Sequence, residues 1–140
     1  SINYAAHSLD KICYLTQSDI AWATGSCTYL QPGTDVDGSA QMLLRTSSGI
    51  SASISLCGYS VVPIDETMLF FANGSLRLHT GSDLSVTCGS GYETVDTSSY
   101  PNAFEAQWAD FISGVRAGRI LYCDGTYGAS IVRTIELLYH

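Results

Sequence analysis

The sequence predicts an α+β fold: a mainly antiparallel, open β-sheet with helices packed on one face. Three observations lead there. Apolar residues recur at helical spacing at the start and the end of the 140-residue chain. Strand-like patterning fills the middle, from Ile20 to about Val95. The two kinds of pattern do not interleave, and segregated runs of strands and helices give α+β rather than the alternating order of a parallel sheet. The length suits a single domain, residues 1–140.

Residues 2–15 read as a helix, with Ile2, Ala5, Ala6, Leu9, Ile12 and Cys13 at helical spacing. Asn3, His7, Asp10 and Tyr14 step by four, three and four, so they share the opposite face. Ile20–Leu30 is rich in small, aromatic and β-branched residues and ends at the turn-like Gln31-Pro32-Gly33-Thr34-Asp35. Ser39–Thr46 follows, then Ser47-Ser48-Gly49. In Ile50–Tyr59 the residues Ile50, Ala52, Ile54 and Leu56 alternate with Ser51, Ser53 and Ser55. Period two with serine on the off-beat predicts one buried face and one small, polar face. Thr67–Ala72 and Ser75–Thr80 form a hairpin across Asn73-Gly74. Leu84–Cys88 with Tyr92–Thr97 brings the expected total to five to seven strands.

The end is helical again. Phe104, Trp108, Phe111, Ile112 and Val115 form an apolar stripe, with Asn102 as cap, Glu105 closing a capping box and Gly118 as the stop. Asp124-Gly125 opens a last helix carrying Tyr127, Ile131, Ile135 and Leu138 along one face up to His140. The first helix has no cap before it and the last has none after it. Both ends therefore read as cut, and a segment upstream is expected to be missing.

Six Lys plus Arg stand against 13 Asp plus Glu, a formal charge of −7. Charged residues make up 14 %, against roughly 25 % in an average soluble domain. With 46 % hydrophobic residues, disorder is excluded. Nucleic acid is excluded as a partner by the sign of the charge and the lack of a basic stripe. No apolar run approaches the ~20 residues of a membrane span, and no signal-peptide pattern opens the chain. Ser, Thr, Gly and nine Tyr fill the surface instead. Few charges oppose contact on such a surface, so the Ser/Thr-rich sheet face is expected to be covered, by a second copy or a second domain. The five cysteines, Cys13, Cys27, Cys57, Cys88 and Cys123, show no Cys-x-x-Cys pair. They are expected to be reduced core thiols of a cytoplasmic protein, with no metal. Asn73-Gly74-Ser75 is a glycosylation sequon, read here as the hairpin turn.

Three segments carry a family resemblance. Asn3-Tyr4-Ala5-Ala6-His7-Ser8-Leu9-Asp10 resembles the helix bearing the active-site histidine of the Gfo/Idh/MocA family of oxidoreductases, whose pattern is Asp-x-x-x-His-x-x-Asp. Phe104-Glu105-x-Gln107-x-x-Asp110-Phe111-Ile112 up to Gly118-Arg119, and Asp124-Gly125 leading to a helix ending at Tyr139, resemble later parts of that family's C-terminal domain. The Asn73-Gly74 hairpin stands where the family usually has one. The resemblance spans nearly the whole chain but only half of a family enzyme.

It implies a C-terminal domain of the dihydrodipicolinate-reductase-like fold, with the Rossmann domain absent. The whole enzyme would bind NAD or NADP in a missing N-terminal half and transfer a hydride between a sugar or polyol carbon and nicotinamide. The C-terminal domain would supply part of the substrate pocket and build a homo-oligomer. His7 would take or return the hydroxyl proton, with Asn3 beside it as the second catalytic candidate. Imidazole suits that task, because its unperturbed pKa lies near neutrality. Asn3 stands where the family usually has Asp, so it orients without adding negative charge. No Gly-x-Gly-x-x-Gly and no Glu-Lys-Pro motif occur; the only lysine is Lys11. The fragment is therefore expected to bind no dinucleotide and to be inactive alone.

Tyr100 and Tyr127, in or beside loops, are the candidate substrate-binding residues. The bland alternative for His7 is a helix-face histidine bonded to Asp10 or Tyr14. Asp10 is expected to be structural, and His79 and His140 receive no role. Arg116 and Arg119 suit a helix C-terminus. Two other readings stay open: a secreted β-rich module stacking tyrosines on carbohydrate, and a non-catalytic relative of the oxidoreductases.

Overall fold

In the computed structural model, residues 2–29, 38–58, 62–87 and 89–137 are described, with the backbone alone for residues 2 and 3. The element order is α1 (Ile2–Thr16), β1 (Ile20–Thr28), β2 (Ser39–Thr46), β3 (Ser51–Cys57), β4 (Glu66–Phe71), β5 (Gly74–His79), β6 (Leu84–Thr87), β7 (Glu93–Val95), α2 (Ala103–Ala117) and α3 (Gly125–Glu136). This is the α+β class, and all described strand pairs are antiparallel. The seven strands hydrogen-bond as two sheets, β1-β2-β3 and β4-β5-β6-β7, rather than as one. The link between them carries Gly58 and Pro63, which weaken a ladder and remove a donor from it. The chain divides into two compact units, one holding α1, β1–β3 and α3, the other β4–β7 and α2.

The first unit is built on the period-two pattern. Ala40, Met42, Leu44 and Thr46 of β2 are buried while Gln41, Leu43 and Arg45 are exposed. Antiparallel register sets Ala40 opposite Leu56, Met42 opposite Ile54 and Leu44 opposite Ala52, so this stretch of the β2–β3 pair presents one apolar face. Ser51, Ser53 and Ser55 of β3 lie on the other, exposed face, as the alternation predicts. Ala5, Leu9 and Cys13 of α1 and Ile131 and Ile135 of α3 complete the core with Ala40, Met42, Leu44 and Ile54. Burying a side chain of Leu or Ile size contributes about 1.5–3 kcal/mol.

The second unit is organised around hairpins. Phe71 pairs with Gly74, so the β4–β5 turn residues are Ala72 and Asn73, one position before the expected Asn73-Gly74. Among the described residues only Gln17 has a positive φ outside glycine, which rules out the primed turn that Asn-Gly usually signals. Helix α2 starts where expected: the Asn102 side chain accepts the Glu105 N–H at 3.0 Å. It ends at Gly118, whose φ of 64° requires the left-handed region that glycine tolerates. Arg119 folds back to donate to the Asp110 carboxylate, a partner more specific than the helix dipole.

Two expectations need correction. The cysteines are not all core thiols: Cys13 is buried and Cys27 half-buried, but Cys57 and Cys123 are exposed. Cys57 and Cys123 lie at an element's end and in a loop, where small apolar neighbours do not enforce burial. The α2 stripe is likewise not a buried one. Phe104 is 83 % exposed and Trp108 65 %, and of the five stripe residues only Ile112 is half-buried. Cys88, Leu138, Tyr139, His140 and the segment Gln31–Asp35 lie outside the described residues.

Candidate functional site

Helix α1 carries the site candidates. Leu9 and Cys13 turn inward, which leaves His7 and Tyr14 exposed and Asp10 half-buried. Asp10 faces α3. The Tyr127 hydroxyl, from the first turn of that helix, donates to Asp10 Oδ1 at 2.6 Å. Asp124 caps α3 by accepting the Tyr127 N–H at 2.8 Å, so the backbone that aims the phenol is itself fixed. Tyr122 completes the cluster, with its ring 5.0 Å from Tyr127 and 5.5 Å, edge-on, from Tyr14.

The surroundings favour the protonated forms of Tyr127, Tyr122 and Cys13. Burial, then the hydrogen bond and charge of Asp10, push the Tyr127 phenol far above its ordinary range. Burial also raises Tyr122 and Cys13, the latter helped by the charges of Asp19 and Asp10. Tyr127 is therefore a neutral donor at every working pH, and Asp10 is its acceptor. That bond ties α1 to α3 one helical turn from His7.

The sequence candidates fall out as follows. His7 is exposed on α1, and among the described residues it bonds to neither Asp10 nor Tyr14, so the bland alternative for it does not hold in that form. Asn3 lies on the same helix, with its side chain outside the description. Tyr127 belongs to the unit of His7, its hydroxyl already given to Asp10. Tyr100 belongs to the other unit, 73 % exposed just before α2. Sequence reasoning missed Tyr122, which no periodic pattern flags, and the ionic cluster around His79. The His79–Asp83 spacing of four was a signal for that cluster; the strand pairing that adds Glu66 was not visible.

The described residues do not form the usual dinucleotide cradle. Such cofactors bind at the carboxyl ends of parallel strands, on a Gly-rich turn opening a helix. The described strands are all antiparallel, and the N-termini of α2 and α3 are taken by the side chains of Asn102 and Asp124. No group of three or more His, Cys, Asp or Glu among the described residues is placed to hold a metal ion. No described helix is long and apolar enough to cross a membrane.

Comparison with known proteins finds no matching family model and no matching curated protein. Solved structures do match. The UDP-N-acetylglucosamine 3-dehydrogenase of Acidithiobacillus ferrooxidans is 19 % identical with a TM-score of 0.80, over 96 % of this chain and 44 % of its own. The aldose-aldose oxidoreductase of Caulobacter crescentus, complexed with glycerol, is 19 % identical with a TM-score of 0.84, over 96 % of this chain and 42 % of its own. A levoglucosan dehydrogenase, in complex with NADH and levoglucosan, is 16 % identical with a TM-score of 0.77, over 95 % and 47 %.

This chain shares its fold with part of each of these solved oxidoreductases. It spans less than half the length of the solved structures it matches.

Proposed function

We propose that the chain is the substrate-binding and oligomerisation domain of an NAD(P)-dependent oxidoreductase that acts on a sugar or polyol hydroxyl in the cytoplasm. The observation that carries this reading is the fold shared, over 96 % of the chain, with oxidoreductases named for sugar substrates. The exposed His7 on a helix pinned by Asp10 agrees with it. In the whole enzyme the dinucleotide would accept or give the hydride, in an N-terminal half outside this chain.

The chain's own part is proton handling and binding. His7 takes the hydroxyl proton at an imidazole nitrogen, or returns it in the reverse direction. Asn3 orients the hydroxyl or the ring through its amide. Tyr127 borders the substrate through its ring, since its O–H is held by Asp10; Tyr100, in the other unit, is kept as a separate substrate-binding candidate. The exposed sheet face, with Trp22, Leu43 and Ser53, serves self-association; a clean monomer by sedimentation at high concentration would count against this role.

The test is the longer polypeptide. Its reading frame upstream of residue 1 should encode a dinucleotide-binding half, and the purified protein should reduce NAD or NADP with a sugar or polyol. His7→Gln should lower kcat by about 10²–10⁴-fold, the usual contribution of a general base. A wild-type rate that survives this substitution overturns the role of His7. The 140-residue chain alone should show no heat of NAD binding in calorimetry. A second reading, a non-catalytic relative that keeps the fold, is favoured by Asn3 in the place of the usual Asp; an upstream dinucleotide-binding half without turnover would select it.

A further inference from the structure

Apart from α1, the densest group of ionisable side chains lies on the four-stranded sheet. His79, at the end of β5, has Nε2 2.9 Å from Glu66 Oε2 and Nδ1 3.1 Å from Asp83 Oδ1. Glu66 begins β4 and is the cross-strand partner of His79. Asp83 lies in the turn between β5 and β6, and its backbone carbonyl accepts the His79 N–H at 2.9 Å. The imidazole is thus gripped on both nitrogens, by two carboxylates from two different segments.

An ionised carboxylate only accepts hydrogen bonds, and a neutral imidazole has a single N–H. Both contacts can be hydrogen bonds at once only if both ring nitrogens carry protons. From this geometry we propose that His79 is an imidazolium staple, joining the start of β4 to the β5–β6 turn, and that loss of one proton to solvent releases one end of it.

The surroundings are arranged for this. Arg77, also on β5, donates to Glu66 Oε2 at 3.2 Å and lies 6.0 Å from the ring of Tyr92. Ser82 and Ser85 donate to the Asp83 carboxylate at 2.9 and 3.3 Å. Each carboxylate therefore keeps a partner when His79 is neutral, so the opening is local. Partial desolvation and the Arg77 cation oppose protonation; the hydrogen bonds that His79 donates to Glu66 and then Asp83 outweigh them and raise its pKa above the ordinary value. Just beyond, the Thr80 N–H donates to the Asp65 carbonyl at 3.0 Å, extending the β4–β5 pairing at the stapled end. This inference concerns a different unit from His7 and does not depend on the proposed activity.

The experiment follows the His79 ring nitrogens by ¹⁵N NMR in the intact chain, with the signal assigned by its loss in His79→Gln. A titration midpoint above the free value of about 6.5 is expected, lowered in both Glu66→Gln and Asp83→Asn. Protection of the Thr80 amide from hydrogen exchange should fall as pH rises through that midpoint. A midpoint at or below about 6.5, or one that either substitution leaves unmoved, overturns the staple. Glu66→Gln and Asp83→Asn are nearly isosteric, and the retained signals of β4–β7 away from the cluster report that the second unit stays folded.

Discussion

The two units of this molecule are stabilised by different means. Among the described residues, the nine buried hydrophobic ones belong to the first, in α1, β2, β3 and α3. In the second, the buried residues are Ser75, Ser85 and Gly114. Its large apolar side chains, Phe70, Phe71, Phe104, Trp108 and Phe111, are exposed. Beyond the ladder, its strands are joined by half-buried cross-strand pairs such as Leu76–Val86 and Leu78–Leu84, together with polar contacts: the His79 cluster, Arg77 over Tyr92, and the Ser75 hydroxyl 3.1 Å from the Tyr92 hydroxyl. Two regions of one chain with similar hydrophobic content thus differ in where that content goes. Burial in a core is non-directional and large, whereas exposed ionic contacts are directional, salt-screened and small.

The strongest way to break that contrast is a pair of substitutions. Leu9 is fully buried, so Leu9→Ala should cost about 2–5 kcal/mol in chemical denaturation. Phe104→Ala removes a larger side chain that is 83 % exposed and should stay within about 0.5 kcal/mol. Equal losses would mean that the stripe of α2 is covered in solution and that the contrast is false.

A smaller effect sharpens the picture inside the first unit. Tyr127→Phe deletes the donor to Asp10 and leaves a half-buried carboxylate without it. Hydrogen bonds to charged groups contribute about 1.5–3 kcal/mol, so a loss of about 1.5 kcal/mol is expected, with the ring contact to Tyr122 retained. Under the proposed role of His7, the same change in a longer, active polypeptide should lower kcat more than it alters KM, since it loosens the helix that carries His7. A variant as stable as wild type would show that the bond between α1 and α3 is incidental.

Much of this was legible in the residues. Period two on β2 and β3 specified both their burial and the serine face, because one sheet face packs into the core of that unit with α1 and α3. The Asn102, Gly118 and Asp124 boundaries followed from capping chemistry, which is local. The α2 stripe was also read as a helix, but periodicity defines a face and not what covers it, so its exposure was invisible. The Asn73-Gly74 signal found the hairpin and missed its register by one residue. Two sheets instead of one, and Glu66 beside His79, depend on strand pairing at a distance. For the site, the spacing of His7 and Asp10 marked the helix, whereas the Tyr127 bond to Asp10 joins residues 117 apart and no local pattern announces it.

The smallest expected effect is the dependence of each unit on pH, and here the units should separate. His79 has a raised pKa, so its contribution is full below the unfolded value of about 6.5 and is lost as pH rises through the folded one. Glu66 and Asp83 are lowered, by His79 and Arg77 in the first case and by Ser82 and His79 in the second. Their contributions are present above the unfolded values of about 4.3 and 3.9 and disappear as pH falls through the folded ones. The second unit should therefore be best protected between about pH 4.5 and 6.5. In the first unit Cys13, Tyr122 and Tyr127 are raised, and these acids are neutral when protonated. Their contribution holds until the unfolded thiol and phenols ionise, from about pH 8.5 upward. Amide exchange compared at pH 5.5 and 7.5, corrected for intrinsic rates, should show β5 losing protection while α1 does not. Parallel loss in both would mean that the two units open together, and that the ionic cluster does not control the second on its own.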